Sequence, residues 1–263
     1  MIKNHLKHCL KNGQLGLAII IKQIQTAEMA LAAKTCGYDC IYIDLEHSVI
    51  SEHSAAQMSL MALYTGITPI VRVPSHDAHY INRILDAGAM GIVAPHIENA
   101  EQAMQVVRAC RFSPLGERSV AGNWPHFSYA SMQPEVIRQT LNQETLVVVM
   151  LESPQAIEHA DEIAAVDGVD VVHIGSNDLC DALGIPGQFN HPLIEKSFAK
   201  VISACQKHHK ICGAGGLGSA PEVTQKMIQM GVRFITAGNE WAFMMQAAKQ
   251  RSAQLRALKY ESK

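Results

Sequence analysis

The feature that most constrains this chain is a regular alternation of short apolar runs with longer segments of helical spacing. The runs predict strands at 15–21, 40–44, 68–73, 91–94, 145–151, 169–174, 210–213 and 233–237. The remaining segments predict helices near 26–35, 53–63, 78–87, 99–109, 154–165, 192–208, 219–230 and 240–259. Runs such as VRV and LVVVML are apolar at most positions, which is typical of parallel strands that helices cover on both faces.

Eight strand–helix units in 263 residues match the roughly 250 residues of a closed (β/α)₈ barrel. We therefore predict an α/β fold in which residues 1–263 form a single TIM barrel domain, since no low-complexity stretch, charge block or Ser/Gly linker marks a boundary. An open, doubly wound sheet produces the same pattern and stays an alternative, because periodicity does not reveal closure.

Charge, hydropathy and cysteine content exclude several classes of protein. The 22 Lys and Arg residues against 24 Asp and Glu give a formal charge of −2, which offers no basis for binding nucleic acid or an anionic membrane. The longest apolar runs are far shorter than the ~18 residues of a transmembrane helix, and the basic start lacks the cleavage site of a signal peptide. The 7 cysteines include no C-x-x-C pair, which indicates free thiols in a reducing compartment. We expect a cytoplasmic protein.

Polar residues end several of the apolar runs. Those at the ends of the second, third, fifth and sixth strands are Asp44, Glu46, His47, Arg72, Glu152, Ser176, Asn177 and Asp178, and Pro95 and His96 follow the fourth. The C-terminal ends of barrel strands meet at one rim, where such enzymes carry their chemistry. We therefore expect a candidate base, a cation and several carboxylates to converge there.

Each of these residues also has a structural interpretation. Glu152 precedes a Ser-Pro helix start, so its charge can serve the helix N-terminus. Asp178 can cap a short helix through 179–183, and His47 can be a hydrogen-bonded wall residue. Arg72 is harder to explain in this way, because a guanidinium at the end of a buried apolar strand needs an anionic partner.

Glu152 and Asp178 have no Cys or His in a plausible ligand cluster, so we interpret them as oxygen ligands of a hard divalent cation. Mg²⁺ fits such a site, and Mn²⁺ or Co²⁺ can replace it. No lysine ends a predicted strand, since Lys22 follows the first and Lys210 begins the seventh. A Schiff-base mechanism therefore lacks a nucleophile.

A carbonyl substrate would then be activated by the cation acting as a Lewis acid. In that hypothesis His47 is the base, and Asp44 or Glu46 orients it. The loop 213–219, GAGGLGS, resembles a phosphate-cradling loop but lacks the spacing of the dinucleotide fingerprint. Its glycines are equally explained by a tight turn.

Six motifs occur in an order and spacing that resembles the HpcH/HpaI family of metal-dependent pyruvate aldolases. They are IDLEHS (43–48), VRVP (71–74), LDAGAMGIVAPH (85–96), SPLGERS (113–119), MLES (150–153) and HIGSNDL (173–179). The resemblance covers almost the whole chain and implies a (β/α)₈ barrel that cleaves a 4-hydroxy-2-oxo acid to pyruvate and an aldehyde. It also implies a homo-oligomer, because members of the family often form hexamers, as trimers of dimers that exchange the last helix.

Transferred position by position, the resemblance implies catalytic and metal-binding roles for five residues. Glu152 and Asp178 match the metal ligands. Arg72 matches the arginine that contacts the pyruvate oxygens and stabilises the enolate. His47 matches the catalytic base, with Asp44 as its partner.

The resemblance also implies contacts to the substrate. Backbone amides at Ser176 and Asn177 match those that hold the pyruvate carboxylate. The irregular segment 112–134 has the length of a binding loop, and we expect it on the aldehyde side. Its candidate residues are Arg118, Trp124 and His126.

Alternatives remain open at this point. The chain has Leu45 and Met150 where the family usually has Gly and Gln, although no ligand or base is lost. Related enolate chemistry, such as oxaloacetate decarboxylation or a citrate-synthase-like condensation, would use the same residues. A non-catalytic barrel that binds a 2-oxo acid or a metal is the other alternative. The apolar last helix is explained either by packing on its own barrel or by contact with a second subunit.

Overall fold

Eight parallel strands close into a barrel in the computed structural model, which describes residues 2–258. Each strand pairs with the next in sequence, and the last returns to the first. The strands are β1 (Gly16–Ile21), β2 (Cys40–Asp44), β3 (Thr68–Arg72), β4 (Gly91–Ala94), β5 (Leu146–Leu151), β6 (Val171–Gly175), β7 (Ile211–Gly215) and β8 (Phe234–Asn239). Every predicted strand is present, and closure removes the open-sheet alternative.

Helices cover the outside of the barrel and its N-terminal end. They are α1 (His5–Lys11), α2 (Met29–Thr35), α3 (Glu52–Thr65), α4 (Ala78–Asp86), α5 (Ala100–Cys110), α6 (Pro134–Glu144), α7 (Pro154–Glu158), α8 (Ala160–Ala164), α9 (Ser176–Ala182), α10 (Pro192–Lys207), α11 (Pro221–Met230) and α12 (Glu240–Arg256), with a 3₁₀ turn at Pro125–Phe127. None of the helices in residues 2–258 is long and apolar enough to cross a membrane.

The predicted helices agree with the structure except at a few places. The predicted helix 154–165 is two short helices, α7 and α8, which meet at His159. The predicted end of the last helix, residue 259, lies outside the described residues. Helices α1 and α6 were not predicted, since α1 has only 7 residues and α6 follows directly on the irregular segment.

Two apolar layers hold the barrel together. The larger lies between the strands and the outer helices, and the smaller fills the barrel interior with residues such as Tyr42, Val148 and Phe234. Leu6 and Leu10 of α1 belong to the interior cluster, so α1 closes the N-terminal end of the barrel. The opposite end is left for the residues that follow the strands.

A buried polar network seals the N-terminal end beside α1. Arg111 donates to Asp170 at 2.9 Å and to the carbonyl of Thr145 at 2.8 Å. Lys7 donates to the same carbonyl at 2.7 Å and to Asp170 at 3.0 Å. Burial, together with the charge of Arg111, lowers the pKa of Lys7 to about 8, although Asp170 acts against this shift.

Candidate active site

At the C-terminal end of the barrel, which we call the mouth, an ion pair joins the ends of β2 and β3. Asp44 and Arg72 are register partners, and the guanidinium donates from Nε to Oδ1 at 2.9 Å and from Nη2 to Oδ2 at 2.5 Å. Both residues are buried. Burial acts to raise the pKa of Asp44, but the hydrogen bonds and charge of Arg72 outweigh it and hold the pKa below its usual value. The anionic partner that the sequence required for Arg72 is therefore Asp44.

The turn after β2 brings Glu46 and His47 to the same place. Asp44 Oδ1 accepts the backbone N–H groups of both residues at 3.1 Å, and Arg72 Nη1 lies 2.9 Å from Glu46 Oε2. The His47 imidazole is 54 % exposed and lies 3.7 Å from Glu46. Of the two carboxylates considered as partners of His47, Asp44 therefore holds its backbone and Glu46 lies nearer its ring.

Glu152 follows β5 and is buried, with only 5 % of the residue exposed. Its Oε2 accepts the backbone N–H of His96 at 2.9 Å. The ring of His96 lies 3.1 Å from Glu152 and 2.8 Å from Glu46, so it bridges the two carboxylates. The sequence placed His96 at the end of the fourth strand without assigning it a role. That position was the signal, and the bridge was not predictable from it.

Asp178 lies in the first turn of α9, directly after β6. The short helix considered as a structural explanation is therefore present, and it carries Asp178 to the mouth. Ser176 is fully buried, and its Oγ has no hydrogen-bond partner among the described residues. A Cβ at Gly175 would lie 2.7 Å from Cγ and Oε1 of Glu152, so the glycine leaves space for that carboxylate beside α9.

Negative charge exceeds positive charge at this mouth. Burial raises the pKa of Glu152, the charges of Asp178 and Glu46 raise it further, and His96 acts against them. The carboxylates are Asp44, Glu46, Glu152 and Asp178, and the cations near them are Arg72 and Lys22. Within residues 2–258, no group of 3 or more His, Cys, Asp or Glu side chains is arranged to hold a metal ion.

Lys22 is a member of this group that the sequence weighed only as a Schiff-base nucleophile. Its Nζ lies 3.4 Å from Asp44 Oδ2. The backbone N–H groups of Lys22, Gln23 and Ile24 all donate to Glu240 Oε1, at 2.8, 2.5 and 3.0 Å. Glu240 begins α12, so its carboxylate joins the loop after β1 to the start of the last helix.

A cavity of about 600 Å³ opens between these residues and the loops after β7 and β8. His47, Arg72 and Asp178 line one side. Gly216 lies on the other side at φ +81°, where a Cβ would come within 2.9 Å of the Asn177 side chain. The glycine-rich segment 213–219 is therefore the end of β7 and a tight turn against α9. The polar cavity lining also includes Lys22, Asn177, His173, Thr236, Ser219, Asn239 and Gln246.

The structure places the irregular segment at the other end of the barrel. Arg118 donates to Asp86 at 2.8 Å, and its guanidinium lies 4.7 Å from the ring centre of Phe112 and 4.9 Å from that of Trp124. Asp86 ends α4, which starts near the mouth and runs away from it. His126 donates from Nε2 to the carbonyl of Ala89, just before β4, at 3.2 Å.

The prediction that Arg118, Trp124 and His126 contact the aldehyde is therefore wrong for the site of their own chain. The physical reason is that α5 returns the chain to the N-terminal end before the segment 112–134 begins. There its aromatic residues form a small buried cluster with α6. The mixture of aromatic, Gly and Pro residues reflects this packing.

Comparison with known proteins finds a matching family and several relatives. The sequence profile of the HpcH/HpaI aldolase/citrate lyase family matches residues 22–247. A 4-hydroxy-4-methyl-2-oxoglutarate aldolase of Hapsidospora irregularis is 36 % identical over 217 residues, which cover 82 % of this chain and 80 % of the relative. A 2-keto-3-deoxy-L-rhamnonate aldolase of Escherichia coli is 31 % identical over 258 residues, 98 % of this chain and 95 % of the relative.

A solved structure extends the likeness to the fold. The crystal structure of an HpcH/HpaI aldolase from Desulfitobacterium hafniense superposes with a TM-score of 0.92 at 25 % identity and covers 100 % of both chains. These relatives belong to the family that the sequence motifs resemble. The chain belongs to the HpcH/HpaI aldolase/citrate lyase family and is a carbon–carbon lyase of the aldolase type.

Proposed function

We propose that this aldolase cleaves a 4-hydroxy-2-oxo acid reversibly to pyruvate and an aldehyde or ketone, with a divalent cation as cofactor. The observation that carries the proposal is the convergence of Arg72, fixed by Asp44, with the surplus of carboxylates around Glu152 at one open barrel mouth. A 2-oxo acid offers two oxygens to a cation and an enolate oxygen to an arginine. Its chemistry therefore complements this charge distribution.

Glu152 and Asp178 are the residues that would hold the cation. Two observations fit such an ion: the space that Gly175 leaves at the Glu152 carboxylate, and the mutual repulsion that raises the pKa of Glu152. A carboxylate-only donor pair suits Mg²⁺, or Mn²⁺ and Co²⁺ in its place, with water and substrate completing the shell. When bound, the cation supplies Lewis-acid polarisation of the 2-oxo carbonyl.

Arg72 stabilises the negative charge that develops on the 2-oxo oxygen as the C3–C4 bond breaks. Its bidentate contact with Asp44 fixes the guanidinium before substrate arrives, and removal of one such donor typically costs ~3 kcal/mol of transition-state stabilisation. His47 accepts the proton of the 4-hydroxyl group, so the aldehyde leaves as a neutral molecule. The enolate then takes at C3 the proton that His47 has accepted, which yields pyruvate and restores the neutral imidazole. In the reverse direction His47 returns its proton to the aldehyde oxygen.

The substrate carboxylate would be held at the start of α9. Backbone N–H groups at Ser176 and Asn177 are free of the helix ladder because they belong to its first turn. The buried hydroxyl of Ser176 has hydrogen-bonding capacity left over. Both features favour an anionic oxygen at this position.

The first test measures the formation of the enolate, without any carbonyl partner. The protein is incubated with pyruvate in D₂O, and the methyl signal is followed by proton NMR with Mg²⁺, with Mn²⁺ and with EDTA. We expect metal-dependent loss of the signal, because a stabilised enolate exchanges the methyl protons. No exchange with any divalent metal would overturn the proposal in favour of a binding protein or a substrate that is not pyruvyl.

The second test identifies the carbonyl partner. 4-Hydroxy-4-methyl-2-oxoglutarate and 2-keto-3-deoxy-L-rhamnonate, the substrates named in the relatives, are supplied separately, and released pyruvate is measured with lactate dehydrogenase. We expect release from at least one. Oxaloacetate is supplied in parallel, and turnover of oxaloacetate alone would replace aldol cleavage by decarboxylation.

We also propose that the chain forms a homo-oligomer, a hexamer by analogy with the family, through α12. The exposed apolar residues of α12 include Trp241, Phe243, Met244, Met245 and Leu255. An apolar groove of about 430 Å³ lies between α11 and β8, lined by Leu17, Leu217, Ile228, Ile235 and Ala237 among others. The α12 of a second copy is the occupant that we propose for this groove. Light scattering should give a multiple of 28.7 kDa, and Met244→Glu with Leu255→Glu should reduce it to one chain.

A reducing compartment, the cytoplasm, suits the cysteines. All 7 are free thiols, and 5 of them are buried. Their number and burial favour a chain that never meets an oxidising environment.

A further inference from the structure

One titratable residue on the floor of the mouth cavity has no role in the proposed mechanism. His173 lies in the middle of β6 with its side chain inside the barrel, and only 1 % of the residue is exposed. It nevertheless lines the 600 Å³ cavity together with Tyr42, Met150 and Thr236. Met150 is its register partner on β5. A polar ring therefore stands on a floor that is otherwise largely apolar.

The barrel interior is built to accept this ring. A Cβ at Gly213 would lie 2.4 Å from Nδ1, and a Cβ at Gly215 would lie 2.8 Å from Nε2. Both glycines are on β7, so this strand contributes no side chains at the two levels that the ring occupies. Phe234 packs against the ring with centroids 5.5 Å apart. Any side chain at either glycine position would displace the imidazole.

The orientation of the ring follows from those two contacts. Nδ1 lies beside Gly213, deep in the barrel, and has no hydrogen-bond partner among the described residues. Nε2 lies beside Gly215, two residues nearer the mouth, where Thr236 Oγ1 also approaches. Gly215 and Thr236 both line the cavity. The nitrogen that faces the cavity is therefore Nε2.

The ring is an uncharged imidazole. Burial, and next the nearby charge of Arg72, lower the pKa of His173 to about 3. A neutral imidazole carries one N–H. Burial of an N–H group without an acceptor lowers the stability of the folded state. The tautomer with the proton on Nε2 avoids that cost at Nδ1. It leaves one N–H donor directed at the cavity, close to Arg72.

We propose that His173 is a further substrate-binding residue, which donates a hydrogen bond from Nε2 to an oxygen of the 2-oxo acid held in front of Arg72. This inference rests on the proposed function, because it requires a 2-oxo acid in the cavity. An acceptor oxygen there would give this N–H a hydrogen-bond partner inside the cavity. Because the donor is neutral, its contribution stays constant through the pH range in which the enzyme works.

The test measures pyruvate binding by calorimetry in the presence of Mg²⁺, together with methyl exchange in D₂O. His173→Phe keeps an aromatic ring in the space made by the glycines and removes the donor. We expect its Kd for pyruvate to rise about tenfold, the effect of one lost hydrogen bond, equally at pH 6.5 and pH 8.5. His173→Gln restores a donor and should recover part of the loss.

His126→Phe is the matched control. His126 is also a buried neutral histidine whose Nδ1 lacks a partner among the described residues, but it lies at the other end of the barrel. The His126→Phe variant should bind pyruvate with the same Kd as the parent protein. In ¹⁵N NMR, the signals of the His173 ring are identified by their loss in His173→Phe. They should show a proton on Nε2, and the Nε2 signal should shift when pyruvate is added.

Two results would overturn the proposal in distinguishable ways. If the parent protein binds and exchanges pyruvate and His173→Phe does so equally well, His173 is a packing residue and the proposed function stands. If the parent protein neither binds nor exchanges pyruvate with any divalent metal, the proposed function fails and this inference fails with it.

Discussion

The two ends of the barrel both carry arginine–carboxylate clusters, but they differ in charge balance. At the N-terminal end, Asp170 meets Lys7 and Arg111, and backbone carbonyls such as that of Thr145 accept the remaining donors. At the mouth, carboxylates outnumber cations, and burial with neighbouring charge raises the pKa of Glu152. Among the described residues, the first network pairs its charges with one another, whereas the second keeps a surplus of carboxylates.

A structural cluster and a ligand site differ in how fully their polar groups are paired. Both contain buried arginines with short contacts to carboxylates, so neither burial nor ion pairing separates them. Unsatisfied polar groups separate the two clusters, because a chain that keeps like charges and unpaired donors in place loses stability unless a ligand compensates. We expect substitutions at the mouth to affect activity and substitutions at the N-terminal end to affect stability.

The largest effect is expected for Glu152→Gln. Loss of this carboxylate should weaken metal affinity and lower kcat/KM by about a thousandfold, as for other groups that stabilise transition-state charge. The free energy of unfolding should stay the same or rise, because the repulsion with Asp178 and Glu46 is relieved. Calorimetric Mn²⁺ titration and thermal unfolding measure both. Full activity at micromolar metal would contradict the ligand assignment.

His47→Ala should lower kcat by roughly a hundredfold or more, the usual contribution of a general base. Metal affinity and thermal stability should not change, since the imidazole is half exposed and lies as far as 3.7 Å from Glu46. Steady-state kinetics with the identified substrate, beside the Mn²⁺ titration, test this. Unchanged turnover would remove His47 as the base.

At the N-terminal end, Asp170→Asn should reduce the free energy of unfolding by ~3 kcal/mol, because Lys7 and Arg111 would lose their shared carboxylate. The kcat/KM of the folded protein should be unchanged. Urea unfolding measures the loss. Asp161→Asn is the control, since its exposed pair with Lys207 should contribute under ~1 kcal/mol. Equal losses in the two variants would contradict the structural role of the network.

The same network predicts a pH dependence. The pKa of Lys7 is about 8 in the folded chain against an ordinary 10.5. Between these values the unfolded chain binds the proton that the folded chain has released, so this group makes the folded state more stable as pH rises. Compared with Lys7→Met, the parent protein should gain ~2 kcal/mol between pH 8 and pH 10. Urea unfolding of both proteins across that range tests the difference, and parallel curves would contradict it.

The smallest effect is expected for Arg118→Met. The guanidinium is buried against Phe112 and Trp124, and Met replaces part of that packing, so the loss of stability should be ~1 kcal/mol. KM and kcat should not change for any carbonyl partner. A raised KM at unchanged stability would return Arg118 to the substrate side.

The sequence predicts the barrel well because its signal is repeated in every strand. Apolar runs such as 145–151 can only be buried between helices, and eight of them leave few topologies. The positions of Asp44, Arg72, Glu152 and Asp178 follow from the same rule, since each ends or closely follows a strand and all strands end at one rim.

The sequence does not predict contacts that depend on side-chain direction or on chain reversal. The bridge made by His96 requires a left-handed residue at φ 53°, which no periodicity signals. The donor at His173 depends on two glycines on a different strand. The prediction that the segment 112–134 lies on the aldehyde side was wrong because the length of a loop carries no information about the end of the barrel at which it lies.

The carboxylate of Glu240 has a consequence for how the chain is made. It accepts three successive backbone N–H groups from the loop at 22–24, more than 200 residues earlier. During synthesis that loop emerges from the ribosome more than 200 residues before its partner. The loop after β1 therefore takes its final form at the mouth only once Glu240 has been made, and a ribosome-bound chain stalled before residue 240 should lack this contact.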